Sequence, residues 1–137
     1  MNEADARRLF ASRRVARLAT VRDDGAPHLV PICFALEGDT LYSAVDHKPK
    51  RSRSLQRLAN IVANPRVTLL ADHYDEDWST LWWVRADGIA RLAEVGEPAH
   101  VRAVELLRSR YAQYRDAPPL GTAIVVELES FSGWRAS

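Results

Sequence analysis

The side chains best able to do chemistry crowd into one stretch. Lys48, Lys50, Arg51, Arg53, Arg57 and Arg66 lie between His47 and Ala71, a window without a single Asp or Glu. The formal net charge of the whole chain is only +1, so this excess is local. Pro49 stiffens a turn, Ser52 or Ser54 can cap a helix, and Asn64-Pro65 stops it. Cations at a helix start add to backbone N–H groups that already favour an anion. Arg offers a planar fork to phosphate, and Lys a mobile point charge. A positive helix start can equally be solvated surface. A nucleic-acid groove would need more length, and Asp72, Asp75, Glu76 and Asp77 would interrupt it. Nor do aromatics alternate with the bases, as a stacking platform for single strands requires. A small phosphate or carboxylate ligand is the sharper reading.

No signature of a dedicated catalytic centre accompanies this cluster. The chain has no G-x-S-x-G, no G-x-G-x-x-G after a strand, no Walker loop and no H-E-x-x-H. Its four histidines, His28, His47, His73 and His100, follow no metal-ligand spacing. Cys33 has no activating neighbour in sequence and reads as a core thiol. Trp78, Trp82 and Trp83 form an aromatic group. On a regular strand Trp82 and Trp83 point to opposite faces, one to the core and the other to a subunit seam or a flat ring. Tyr42 precedes the basic turn, where it stacks or simply packs.

The elements that must position these groups are mostly strands. A short helix is predicted over 3–14. Strands follow at 15–21, 28–36 and 41–45, joined by turns at R-D-D-G and E-G-D-T. Pro31 marks an edge, a bulge or a bend in the second. The helix after the basic turn has Leu55, Leu58, Ala59 and Val62 as its apolar stripe. Strands at 66–72, 80–86 and 89–95 follow, with Asp87-Gly88 as a hairpin or bulge signal. Pro98 opens a helix with Val101, Val104, Leu107, Arg108 and Tyr111 on one face, and 122–131 is the last strand before the tail around Trp134.

About six or seven hairpin-connected strands close naturally into a small antiparallel barrel, because closure removes exposed edges. The 137 residues suit one domain, 1–137. Two strands, 28–36 and 80–86, are apolar on both faces, which favours a homodimer. A single cysteine and no signal-like N-terminus suit a reducing cytoplasm, and no apolar run is long enough for a membrane span.

The runs R-V-A-R-L-A-T-V-R-D-D-G-A-P-H-L-V-P-I-C-F-A-L, L-Y-S-A-V-D-H-K-P-K-R, N-P-R-V-T-L-L-A-D-H-Y-D-E-D-W and L-W-W-V-R-A-D-G span nearly the whole chain. Together they resemble the pyridoxamine-phosphate-oxidase-like proteins, and more narrowly their actinobacterial branch of probable coenzyme F420-dependent enzymes. The resemblance implies a mainly β, split antiparallel β-barrel with short flanking helices, and a homodimer with cofactor at the subunit interface. It implies F420, with FMN as the related alternative, and hydride transfer to a small conjugated organic molecule. By the same resemblance Val30, Pro31 and Ile32 line the ring system, and Ser43, Ala44 and Val45 run beside the ribityl chain. Lys48, Lys50 and Arg51 meet the phosphate with help from Arg57, and Trp78 or Trp82 approaches from the partner subunit. A deazaflavin carries the hydride chemistry itself, which accounts for the missing catalytic signature. Tyr42, His47 and His73 are the candidates if a product must be protonated. The alternatives are an FMN-binding oxidoreductase and a non-catalytic protein that binds F420 or a flavin, and neither nucleic acid nor membrane is an expected partner.

Overall fold

The computed structural model describes residues 1–45 and 51–137, the side chains of residues 51–55 excepted. The elements are α1 (Glu3–Ala11), β1 (Val15–Val21), β2 (Pro27–Cys33), β3 (Ala35–Glu37), β4 (Thr40–Ala44), α2 (Arg51–Ala63) and β5 (Arg66–His73). A 3₁₀ turn at Trp78–Thr80 leads into β6 (Trp82–Ala93), then α3 (Pro98–Arg110), α4 (Ala112–Asp116) and β7 (Ala123–Arg135). All strand pairs are antiparallel and form one seven-stranded sheet in the order β2-β1-β5-β6-β7-β4-β3. Its two outermost strands, β2 and β3, are separated in sequence only by Phe34. Chain connectivity therefore brings the sheet's two edges together and curls it into the expected split barrel.

Turn chemistry sets the hairpins. Gly25 takes φ +87° at the β1–β2 turn and Gly38 φ +60° at the β3–β4 turn, a region closed to most side chains. The predicted strand over 28–36 is broken at Phe34 rather than bent at Pro31. Pro31 sits inside β2, an edge strand, where its missing donor costs little. Asp87-Gly88 is a bulge within one continuous strand, not a hairpin. A side chain at Gly88 would put Cβ 2.5 Å from the Glu127 carbonyl oxygen. The tail is no appendage either: β7 runs on to Arg135, and Trp134 pairs with Trp83.

Inside the barrel Leu18, Leu41, Leu69, Val84, Ile124 and Val126 are essentially inaccessible. The helix α1 adds Ala6 and Phe10, with the Phe10 ring 5.1 Å from Phe34 and 5.7 Å from Phe131. Asn2 starts α1 by accepting the Asp5 N–H at 2.8 Å. From α2, Leu58 and Ile61 enter this core, whereas Ala59 and Val62 of the predicted stripe are exposed; Leu55 lies outside the described side chains. The stripe is rotated because Asn60, polar yet buried, occupies the inward face.

On the outer side, α3 lies over β4 and β7 through small residues, Ala103 against Ala93, Ala123 and Val125. Its buried face is His100, Ala103 and Leu107, not the predicted face through Val101 and Val104. Alanines let the helix approach, so the larger valines are left outside. Tyr111 does turn inward, but as the residue that ends α3 in extended conformation.

Candidate functional site

The seam where the sheet's edges meet is held by side chains. Phe34 belongs to neither β2 nor β3, so its N–H and C=O lack ladder partners. The Tyr111 hydroxyl faces both: it accepts the Phe34 N–H at 3.0 Å and shares its single proton between the Phe34 carbonyl at 2.8 Å and the Arg14 carbonyl at 2.7 Å. Burial pushes the Tyr111 phenol above its ordinary pKa, against the opposing pull of the Phe34 N–H and of Arg110. Beside it the Ser43 hydroxyl, 2% exposed, donates to the Cys33 carbonyl at 2.8 Å. Val45, also buried, is pinned by a Val45 N–H bond to Thr122 and a Gly121 N–H bond to the Val45 carbonyl. The basic stretch thus departs directly from the seam. Ser43, Ala44 and Val45 all lie there with their side chains buried.

The helix α2 leads back from the basic stretch to the barrel. Its first turn carries no acid. The Gln56 amide donates to Asn60 at 2.7 Å, and Asn60 donates to the Thr20 hydroxyl of β1 at 2.9 Å. His28 stands opposite Thr20 in the β1–β2 ladder. Its Nδ1 is covered and has no hydrogen-bond partner among the described residues, although the ring as a whole is only partly buried. Desolvation, then the charges of Arg22 and Arg57, hold the imidazole below its ordinary pKa. Arg57, Arg22 and His28 therefore form a cationic corner beside α2. A recess of about 240 Å³ lies against Arg22, lined also by Asp23, Asp24, Gln56 and Asn60, so two carboxylates border it. His47, Lys48 and Lys50 lie outside the described residues, as do the side chains of Arg51 and Arg53.

The remaining candidates separate by face. Val30 and Ile32 point inward with Leu18 and Ala16, and Ile32 belongs to the core. Pro31 points outward, opposite Arg17 and exposed. Trp82 is buried in the core, so its indole does not reach outward. Trp83 takes the other face, with Arg85 over its ring at 5.6 Å, as alternation along a strand requires. Trp78 is 76% exposed on a turn ordered by Asp77, whose carboxylate accepts the Ser79 N–H at 3.1 Å. Tyr42 packs beneath α3, and His73 pairs with Asp75 at 3.0 Å.

Leu29, Leu70, Tyr74, Trp78 and Trp134 are exposed on the outward side and its flanking loop. A groove of about 410 Å³ between Leu70, Asp72, Tyr74, Trp83 and Arg85 takes in two of them, Leu70 and Tyr74. Among the described residues no group of three His, Cys, Asp or Glu side chains is placed to hold a metal. No helix of the described residues is long and apolar enough to cross a membrane.

Tyr111, Thr20, Asn60 and Gln56 were not singled out as site residues by the sequence. Asn60 alone leaves a signal there, a polar residue one position before Ile61 in an otherwise apolar helical run.

A seven-stranded sheet curled so that its edge strands adjoin, with α2 bonded to β1 through Asn60 and Thr20, defines a small split-barrel class. The family model described as pyridoxamine 5'-phosphate oxidase matches residues 3–135, and the chain belongs to that family. No curated protein matches it at a significant level. Among solved structures it resembles an FAD-binding protein from Mesorhizobium loti, at 19% identity and a TM-score of 0.75, covering 97% of this chain and 94% of that one. An FAD-binding protein from Mycobacterium smegmatis gives 20% identity and a TM-score of 0.67, with 100% and 98% covered. The haem storage protein HutZ from Vibrio cholerae gives 15% and 0.73, with 97% and 93% covered. At these identities the likeness establishes the fold.

Proposed function

We propose that this chain is an oxidoreductase that binds the deazaflavin F420, or FMN in its place, and works as a cytoplasmic homodimer on a small conjugated organic substrate. The observation that carries the reading is the acid-free first turn of α2, which begins at Arg51 and follows Lys48 and Lys50 in the sequence. The cations of that stretch and helical N–H groups suit a phosphate there. Arg57 extends the positive field toward Arg22 and His28. The FAD-binding proteins named above support a flavin-type ligand, and the sequence resemblance supports the deazaflavin.

When bound, such a cofactor supplies the hydride. The chain's own part is to hold the phosphate, present an apolar wall to the flat ring and exclude water. The outward face of β1, β2 and β5, bearing Leu29, Pro31 and Leu70, offers that wall once a second copy covers it. Trp78 then reaches toward the partner from its ordered turn. Trp82 takes no direct part, because its indole fills the core.

The test is a titration of the purified protein with F420, FMN, FAD and haemin, followed by fluorescence and absorbance. It is repeated with Lys50→Ala/Arg51→Ala. Preferential F420 binding, weakened in the double variant, supports the reading. Preferential FMN or FAD binding moves the protein to flavin chemistry on the same fold. Haemin binding alone, or no binding, overturns it.

A further inference from the structure

A groove far from the basic stretch in the sequence has no part in the reading above. It lies between α3 and the segment that carries Pro118, Pro119 and Leu120, and encloses about 780 Å³, the volume of a pocket for a small organic molecule. Its walls are apolar. Val101 and Val104 line it from α3, with Val95 and Leu120 across the opening. Val95 is 66% exposed, Leu120 63% and Val101 49%, a large apolar exposure for one surface.

The groove is preformed. Its far wall is tied to the barrel at Gly121: the Gly121 carbonyl meets His100 Nε2 at 2.9 Å and its N–H donates to the Val45 carbonyl at 3.1 Å. The approach is so close that a Cβ at this position would lie 2.3 Å from the Val45 oxygen. Two consecutive prolines stiffen the same wall. A fixed wall cannot close onto the valines to bury them.

One end of the groove is positive. Arg108 and Arg115 line it, and each donates through one amino nitrogen to the other's backbone: Arg108 to the Arg115 carbonyl at 3.3 Å, Arg115 to the Arg108 carbonyl at 3.0 Å and the Ser109 carbonyl at 3.2 Å. Neither guanidinium meets a carboxylate among the described residues. Glu105, also at the rim, pairs with Arg102 at 3.8 Å, and Arg102 is bonded in turn to Glu37. Arg102 offsets only one of these two carboxylates, so the groove, lined by Arg108, Arg115 and Glu105, keeps a net charge of one positive unit, at its arginine end. Arg108 stands seven residues beyond Val101, about 10 Å along the helix, so the apolar trough and its cationic end are a short chain's length apart.

We propose that this groove binds an amphipathic carboxylate, its apolar body along Val101, Val104 and Leu120 and its carboxylate on Arg108 and Arg115. A linear or aryl acid fits both halves of the arrangement. A neutral lipid leaves the arginines unused, and a cationic one opposes them. The groove backs onto Val45 through Gly121 but is lined by none of the residues assigned above to a flavin or deazaflavin.

The test is calorimetric titration of the full chain with octanoate, decanoate and dodecanoate below their micelle concentrations, with decanol and decylamine as comparisons. Affinity is expected to rise about two- to fourfold per methylene as apolar surface is buried. Decylamine should not bind. Val104→Trp, which fills the trough, should abolish decanoate binding. Arg108→Gln/Arg115→Gln should weaken decanoate about tenfold and leave decanol unchanged. Should that variant fail to fold, Arg108→Lys, which keeps the charge, should retain binding while methyl chemical shifts on decanoate addition still map to Val101, Val104 and Leu120. Absence of saturable binding, equal affinity for decanoate and decylamine, wild-type affinity in Val104→Trp, or shifts confined to Leu29 and Leu70 on the outward face of β2 and β5 would overturn the proposal.

Discussion

The Tyr111 hydroxyl bonds both backbone groups of Phe34, accepting its N–H at 3.0 Å and donating toward its carbonyl at 2.8 Å. Phe34 is the residue at which the chain passes from one edge of the sheet to the other. One phenol at the end of α3 therefore replaces the ladder bonds that a continuous strand would have supplied.

Removing that hydroxyl isolates the site's energetics. In Tyr111→Phe the ring packing against Tyr114 can persist, but the Phe34 groups lose their partner. The expected cost is about 1–3 kcal/mol, read as a lower denaturation midpoint at unchanged slope. Amide exchange at Phe34 should accelerate selectively. Because the folded-state pKa of Tyr111 is raised, its contribution is present below the ordinary tyrosine range and is lost as pH rises through the folded value. The wild type should therefore lose stability at alkaline pH more steeply than Tyr111→Phe, and equal slopes would count against the buried phenol.

Gly88 marks the bulge in β6 and gives a second test. A methyl there meets the Glu127 carbonyl oxygen at 2.5 Å and a Val126 methyl at 2.8 Å, both parts of the β7 ladder. Gly88→Ala should destabilise by about 1–3 kcal/mol, whereas Gly38→Asn at the β3–β4 turn should cost little because its surroundings are open and Asn tolerates positive φ. Comparable thermal melts for Gly88→Ala and the wild type would show that β7 yields without strain.

These positions show where the sequence was readable. The alternation in Val15–Val21 and the D-G turn located β1 and its hairpin, since period and turn residue agree there. Asp87-Gly88 carried the same signal, yet β6 passes straight through it. A Gly needed for close approach to β7 looks, in one dimension, like a Gly needed for a turn. The first three helices were placed and α4 was not, and the faces were read only in part: α3 buries His100 and Ala103 beside the expected Leu107 and leaves Val101 exposed, and α2 turns in the expected Leu58 but also Asn60. Those choices depend on how near a helix must lie to the sheet and on Thr20, forty residues away, offering a hydroxyl to Asn60. The basic cluster was evident from composition alone. The Tyr111–Phe34 bond was not, because it depends on two sheet edges meeting at a single residue.

The outward sheet face predicts association. Leu29 is 66% exposed on β2, and the row Pro31, Arg17, Leu70, Arg85 crosses four adjacent strands with apolar and cationic side chains alternating. Sedimentation of the wild type should report a dimer, and Leu29→Glu should shift it toward monomer while the far-UV spectrum is kept, since a carboxylate buried without a partner is unfavourable. An unchanged sedimentation coefficient in Leu29→Glu would remove this face as the seam. If cofactor binding fell together with dimerisation, the site would need both subunits.

His28 offers a test of the cationic corner that requires no ligand. Its imidazole is desolvated and faces Arg22 and Arg57, with Thr20 and Asn60 as its uncharged neighbours, so the neutral form is favoured in the folded protein. Unfolded, the ring titrates near its ordinary value of 6.5. Above that value both states are neutral and the contribution is intact. As pH falls, the unfolded chain takes up the proton first, and stability declines until the folded ring titrates as well. Stability measured by urea between about pH 7.5 and pH 5.5 should therefore fall less in His28→Gln than in the wild type. Phosphate should reduce the difference by screening Arg22 and Arg57, and more effectively than chloride at equal ionic strength if the corner holds the anion specifically. Identical pH slopes in the two proteins would mean that His28 titrates as a solvated histidine and that the corner exerts no field on it.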